Sequence, residues 1–333
     1  MTIKSKVRRV LGPRLTAKLR AMTVKAAPAV AAQLAPRQYP IESAFDVFHA
    51  SFDARALIYK YEQKDRTAAP GMITNFLGVR VDPKLFGGIL DGREGSLEPL
   101  PIPANWHADI AEWGSALLAV DSARGVFRMI ELGCGWGCWM NNTGAAAKSR
   151  GLKVELIGIE GDRGHVDSAL LLLAQNGFAP DEYRVVHGVA APKAGKALFP
   201  VVENAGATWG SEPILTDDEA EIAKAIASGA YEALDATPLS ALARGEIVDL
   251  LHIDIQGGEF AFVEQNFADI DACVRRVLIG THSRPLEGKL VERFIDAGWL
   301  MEMDRPAFVN FGSGKPVVTV DGVQLFANPK RLH

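Results

Sequence analysis

Three short stretches hold the residues best suited to chemistry. In Glu131-Leu-Gly133-Cys-Gly135-Trp-Gly137, glycine alternates with other residues directly after the apolar run 126–132. Glycine has no Cβ, so such a turn can take left-handed conformations and bring its backbone close to a ligand. Glu160 lies 27 residues beyond Gly133, where the next apolar run ends. A carboxylate at that place can accept hydrogen bonds from two adjacent hydroxyls. The third stretch is Asp254-Ile-Gln256-Gly-Gly-Glu259, with His282 closing the apolar run that follows. Carboxylates and imidazoles are side chains that take up or deliver protons near neutral pH.

Other readings of the glycine-rich turn fit less well. A dinucleotide fingerprint needs glycine at its first, third and sixth positions. Gly133 and Gly135 satisfy the first two, but the sixth is Cys138. Cys134 and Cys138 are close in sequence, yet no second cysteine pair follows, and His107 and His165 fall in other elements, so structural zinc is not expected. The two thiols are expected to be small packing groups. Trp136 and Trp139 are expected to pack as well, with Trp136 a candidate wall of the cleft.

Positioning these residues takes a regular scaffold. From about residue 111 the chain alternates amphipathic helices with apolar strands. Helices are expected over 109–123, 139–150, 165–177, 216–229, 258–270 and 285–299. Strands are expected over 126–133, 154–161, 183–190, 247–256 and 274–283. Alternation of this kind predicts an α/β fold around a mostly parallel sheet. Two terminal strands, 299–304 and 317–328, lack an intervening helix and are expected to pair antiparallel. Thr216 is the expected N-cap of its helix, with Glu219 three residues on. Residues 191–216 read as an irregular insertion. Upstream, 41–63 reads as helical and 75–82 as a strand. The expected organisation is a basic arm and linker over 1–40, an α-rich extension or cap over 41–110, and the main domain over 111–333.

Composition bounds the function. The 333 residues are 48% hydrophobic and 23% charged, ordinary for a globular chain. Residues 1–41 hold nine Lys or Arg and no acid, so the remainder carries a net −13. That acidic bulk is not expected to bind nucleic acid. The arm has apolar residues at roughly helical spacing. It is expected to be solvated or packed against another subunit of a homo-oligomer; contact with an anionic membrane surface is the alternative. Three cysteines, no secretory pattern and no membrane-length apolar run point to a cytoplasmic protein.

The acid-x-Gly-x-Gly-x-Gly pattern resembles motif I of the Rossmann-like methyltransferases that use S-adenosylmethionine. Asp254-x-Gln256-Gly257-x-Glu259, together with Ile279-Gly-Thr-His282-Ser283, resembles the FkbM-type family among them, over about residues 125–330. The resemblance implies a class I methyltransferase sheet and O-methylation of a hydroxyl on a carbohydrate or related metabolite. Gly133, Cys134, Gly135 and Gly137 would approach the amino-acid and ribose parts of the cofactor. Glu131 would hold its ammonium, directly or through water, or steady the turn. Glu160 and Gly161 would meet the ribose, and Gly188 and Val189 the adenine. Asp254 also borders this site.

On the acceptor side, His282 is the first choice as base, with Asp254 as orienter, substrate ligand or metal ligand. Gln256 and Glu259 are candidate substrate contacts. Mg²⁺ on Asp254 and Glu259 is conceivable but not favoured. His252 lies on the same strand face as Asp254 but deeper, as a core histidine. His107 is a further catalytic candidate: it either joins Trp106, Asp109 and Glu112 in an acceptor pocket or is an ordinary residue at a helix start. Trp209, in a long loop, either stacks on a sugar face or anchors the loop. Two rivals remain: a nicotinamide-dependent oxidoreductase on a similar sheet, and a non-catalytic ligand-binding protein.

Overall fold

The computed structural model describes residues 43–332 except 87, 203–204, 207–208, 313 and 315; the basic arm and linker expected over 1–40 lie outside them. The extension supplies β1 (His49–Ala50), α1 (Ala54–Tyr61), β2 (Ile73–Thr74) and β3 (Arg80–Val81). Strict alternation follows: α2 (Ile110–Ser122), β4 (Val126–Leu132), α3 (Cys138–Ser149), β5 (Lys153–Glu160), α4 (Arg163–Gln175) and β6 (Tyr183–His187). Then come β7 (Val189–Ala190), β8 (Gly195–Pro200), β9 (Ile214–Leu215), α5 (Glu219–Ala227), β10 (Tyr231–Thr237) and α6 (Leu239–Ala243). The last part holds β11 (Leu250–Ile253), α7 (Glu259–Gln265), α8 (Phe267–Cys273), β12 (Arg276–Thr281) and α9 (Arg284–Asp296). It ends with β13 (Leu300–Arg305), β14 (Phe308–Asn310), β15 (Val317–Val320) and β16 (Gly322–Ala327).

The main sheet has eight strands in the order β1-β13-β16-β12-β11-β4-β5-β6. Strands β6, β5, β4, β11 and β12 are mutually parallel. β16 enters antiparallel between β12 and β13, which is the antiparallel terminal pair expected. This is the Rossmann-like arrangement. Neighbouring strand residues feed opposite faces, as the period of two requires. Met129, Leu250 and Leu278 pack into one apolar cluster, while Ile130, Leu251 and Ile279 pack into the other. The chain runs outward from β4 to β6 and returns on the other side of β4 as β11. The crevice between the ends of β4 and β11 is therefore the topological switch point, where ligands sit in such sheets.

Several elements differ from expectation. The helix expected over 41–63 is cut to α1, because Asp53 caps a fresh start, accepting from Ala56 N at 2.9 Å. His49–Ala50 instead pairs with β13 as an edge strand. The extension thus belongs to the same compact unit as the sheet, residues 43–333. The strand expected over 75–82 is a β2–β3 hairpin: the Asn75 side chain accepts from Leu77 N and Val79 N and bends the chain.

Residues 191–216 are not wholly irregular. β8 and β9 join β7 and β10 in a small second sheet, order β7-β10-β8-β9. Asp218, not Thr216, caps α5, because its carboxylate reaches both Ala220 N and Glu221 N. The helix expected over 258–270 breaks at Asn266, whose amide oxygen accepts from Leu239 N at the start of α6. The strand expected over 317–328 is two strands, β15 and β16, separated at Asp321. Among the described residues, no helix is long and apolar enough to cross a membrane.

Candidate active site

The glycine-rich turn leaves β4 with positive φ at Gly133 (70°), Gly135 (50°) and Gly137 (74°). A Cβ at Gly133 would run into the Asp254 carbonyl at the end of β11, and one at Gly135 would lie 2.9 Å from the Trp209 ring. All three glycines serve the left-handed backbone, and Gly133 and Gly135 also serve close packing. Glu131 is buried, and its two oxygens accept from Trp139 N (3.1 Å) and Met140 N (2.9 Å). Gly137 cannot cap α3 with a side chain, so Glu131 does so from the preceding strand. Of the two roles expected for it, this is steadying the turn. Burial pushes its carboxyl up to about 8, Asp254 and Glu160 add to the rise, and the two backbone donors oppose it.

Glu160 is held between two donors, Gly135 N at 2.9 Å and Asp162 N at 2.8 Å. Each oxygen keeps lone-pair capacity for a ligand. A Cβ at Gly161 would strike the Phe199 ring, and one at Gly188 would lie 2.9 Å from the Asp235 carbonyl. Glu160, Gly161, Gly188, Val189, Phe199 and Cys134 line one cavity of about 740 Å³, within the usual range for small-molecule sites. Burial holds the Cys134 and Cys138 thiols neutral.

The other end of the cavity is walled by rings. Phe86 stands edge-on to Trp106 (4.7 Å between centroids) and Trp136 (5.6 Å). The His107 ring lies 4.7 Å from Trp106 and 5.7 Å from Trp136. α2 starts at Ile110 behind the Asp109 cap, so His107 is part of this wall rather than of a helix start. Desolvation holds its imidazole down at about 3, hence neutral, with Nδ1 3.4 Å from Cys138 Sγ. Glu112 also faces the cavity; burial and then the Asp109 charge push its carboxyl up to about 8. Trp209 is 48% exposed, stacked on His165 at 4.0 Å and parallel to Phe86 at 6.3 Å. Its loop is tied down by Gly206, whose N–H donates to Asp162 Oδ1 at 2.8 Å. Trp209 thus both anchors its loop and presents a face to the cavity.

At the switch point Asp254 is half-exposed to the cavity, and Gln256 Nε2 donates to its Oδ1 at 3.3 Å. Glu259 departs from the expected substrate contact. It is fully buried, and its Oε1 accepts from Ile255 N (3.1 Å) and Gly257 N (3.0 Å), which pins the turn after β11. His282 stands behind Asp254 and outside the cavity lining, with Nε2 3.3 Å from Asp254 Oδ1 and Nδ1 2.9 Å from Glu259 Oε1. Burial opposes its charge, but the two carboxylates outweigh burial and raise it to about 10. Because it lies outside the cavity lining, His282 reaches an acceptor only through Asp254, whereas the expected base would face the acceptor directly. His252 is buried beside Trp139, as expected of a core histidine, although its edge reaches the cavity.

Among the cavity residues that the sequence reading did not place in the site are Phe86, Asp162, His165 and Phe199. Asp162 had a signal, since it directly precedes α4 and caps it. Phe86 lies in a short turn of the extension with no local mark.

No protein-family model matches the chain. A protein of Jannaschia sp. (strain CCS1), provisionally assigned as a methyltransferase, is 49% identical over 274 residues, covering 82% of this chain and 98% of its own. Among solved structures, methyltransferase FkbM from Methylobacillus flagellatus KT aligns with TM-score 0.40 and 12% identity, over 61% of this chain and 44% of that one. The precorrin-6y C5,15-methyltransferase of Geobacter metallireducens GS-15 aligns with TM-score 0.37 and 10% identity, over 64% and 86%. Those structural likenesses are too low to carry an assignment; the 49% identity is not. By that identity across more than four-fifths of its length, the chain belongs to the methyltransferase family.

Proposed function

We propose that the protein is an FkbM-type enzyme that methylates a hydroxyl oxygen of a carbohydrate or related metabolite, with S-adenosylmethionine as donor. The observation that carries this reading is the Asp254 carboxylate, exposed to the cavity at the crevice where its own carbonyl abuts Gly133. The donor supplies an electrophilic methyl group on a sulfonium, so little covalent chemistry falls to the protein. The turn Gly133–Gly137 brings bare backbone to the ligand, and Glu160 accepts from the ribose hydroxyls. Gly161, Gly188 and Val189 flank the base.

Asp254 accepts a hydrogen bond from the acceptor hydroxyl, aims its oxygen, and takes its proton to pass on to solvent as the O–CH3 bond forms and the S–CH3 bond breaks, leaving S-adenosylhomocysteine; alignment of this kind supplies much of the acceleration in a displacement. His282 positions Asp254, and buried Glu259 positions His282. Trp106 and Trp209 offer flat apolar faces that suit the C–H face of a sugar ring, and the surrounding rings keep water out. Cytoplasmic location fits the same reading.

The test is transfer of a labelled methyl group from S-adenosylmethionine into a host extract, with identification of the product. An O-methylated sugar or hydroxylated metabolite is expected; a product methylated only on nitrogen or carbon overturns the reading. Asp254→Asn is expected to lower kcat by about 10²–10⁴, the range of a lost proton-handling group. Its affinity for S-adenosylhomocysteine should stay near that of the native protein.

A further inference from the structure

We propose that Asp254, Glu259 and His282 form a binding site for a divalent first-row transition metal ion, at the border of the acceptor end of the cavity. The three side chains offer two carboxylate oxygens and, once the ion displaces the His282 proton to solvent, one imidazole nitrogen; these ligand atoms all lie within 4.8 Å of one another. Ligands at about 2.0–2.2 Å from one ion can stand no further apart than about 4.4 Å. Small side-chain movements therefore close the set around a single ion.

The second observation is the state of Glu259. Its side chain is fully buried, Oε1 takes two backbone N–H donors, and Oε2 has no hydrogen-bond partner. An unsatisfied carboxylate oxygen in a dry interior is costly, and a bound cation removes that cost. The backbone is shaped to bring Glu259 there. Gln256 (φ 54°) and Gly257 (φ 96°) both take left-handed conformations between Asp254 and Glu259. His282 arrives from β12, the parallel neighbour of β11. Asp254, with its side chain 43% exposed, gives the ion a route from the cavity.

The donor set selects the metal class. Mg²⁺ and Ca²⁺ take oxygen ligands, whereas an imidazole beside two carboxylates suits Mn²⁺, Fe²⁺, Co²⁺ or Zn²⁺. Three protein ligands would leave coordination positions for water or a substrate oxygen. For the hydroxyl acceptor of the proposed function, and resting on that reading, the ion would lower the pKa of a coordinated alcohol.

Binding is tested apart from turnover. The full chain is stripped with chelator and titrated with Mn²⁺, with free Mn²⁺ followed by electron paramagnetic resonance. One Mn²⁺ per chain is expected, with a ¹⁴N coupling in the pulsed spectrum. His282→Ala should abolish that coupling, and Asp254→Asn should weaken binding at least tenfold. Binding of S-adenosylhomocysteine in the same samples shows that each variant is folded. Mg²⁺ should compete only at concentrations at least tenfold above those of Mn²⁺. Absence of a stoichiometric Mn²⁺, an unchanged ¹⁴N coupling in His282→Ala, or equal Mg²⁺ and Mn²⁺ affinities overturns the proposal. In the first case His282 itself is the cation that bridges the two carboxylates. Failure of the hydroxyl-acceptor reading would show in the labelled product and leave metal binding untouched.

Discussion

Glu160 keeps its carboxylate fixed through Gly135 N and Asp162 N, so it can meet a diol without first paying to order itself. Glu160→Ala should weaken S-adenosylhomocysteine binding about 10–100-fold, measured by calorimetry, because hydrogen bonds to a charged group are worth about 1.5–3 kcal/mol. His107 yields a pH prediction. Its ring stays neutral in the fold, down to about 3, while the unfolded chain protonates near 6.5. A depressed histidine contributes stability above 6.5 and loses it as pH falls from there toward 3, since the unfolded state binds the extra proton. Glu112 and Glu131, raised to about 8, act in the opposite direction, so the effect is read as the difference in urea stability between the native protein and His107→Gln at pH 7, 6, 5 and 4. As pH falls the native protein should lose stability relative to His107→Gln, by at most about 1.4 kcal/mol per pH unit, the value of one proton.

At the scale of elements, the site depends on where α2 is clamped. Asp109 caps α2, and its Oδ2 lies 2.8 Å from Arg305 Nη2 on β13, with both side chains buried. This pair ties the segment carrying Trp106 and His107 to the far side of the sheet. Asp109→Ala removes a cap and leaves Arg305 buried and unpaired, which should cost about 3–5 kcal/mol in chemical denaturation. Adding Arg305→Met should recover a large part of that loss; no recovery would mean that the cap, not the ion pair, dominates. The glycine turn is the other sensitive element. Gly133→Ala combines a left-handed backbone with a clash against the Asp254 carbonyl, so it should lose ligand binding as well as stability, whereas Gly151→Ala, with the same left-handed φ but open space around it, should lose only some stability.

For the whole molecule, the cavity joins parts distant in sequence: the extension through Phe86 and Trp106, the first half of the sheet through Glu160, and the second through Asp254. A ligand spanning them should stabilise the entire unit of residues 43–333 as one. S-adenosylhomocysteine at about 100 times its Kd should add about 2.7 kcal/mol. A thermal melt should then shift upward as a single transition. Two transitions, only one of them moving with ligand, would show that the extension unfolds separately from the sheet.

The local signals written in the chain were enough for the scaffold. Apolar runs of the right period, Gly177 after α4 and Pro285 at the start of α9 marked the elements, and the glycine turn with Glu160 marked the ligand end, because these features act through near neighbours. The small sheet was not legible, since β8 and β10 are stabilised by each other rather than by their own pattern. The roles of charged groups were not legible either. Glu131 could be read as a ligand contact, yet which oxygen meets which N–H is settled only when α3 packs over the turn. His282 reads as a base from its type alone. It is the meeting of β11, β12 and α7 that sets it between Asp254 and Glu259 and so determines its charge. Sequence carries the types and spacing of residues; protonation, cavity walls and ligand sets depend on burial and on partners from other strands, and those exist only in the folded chain.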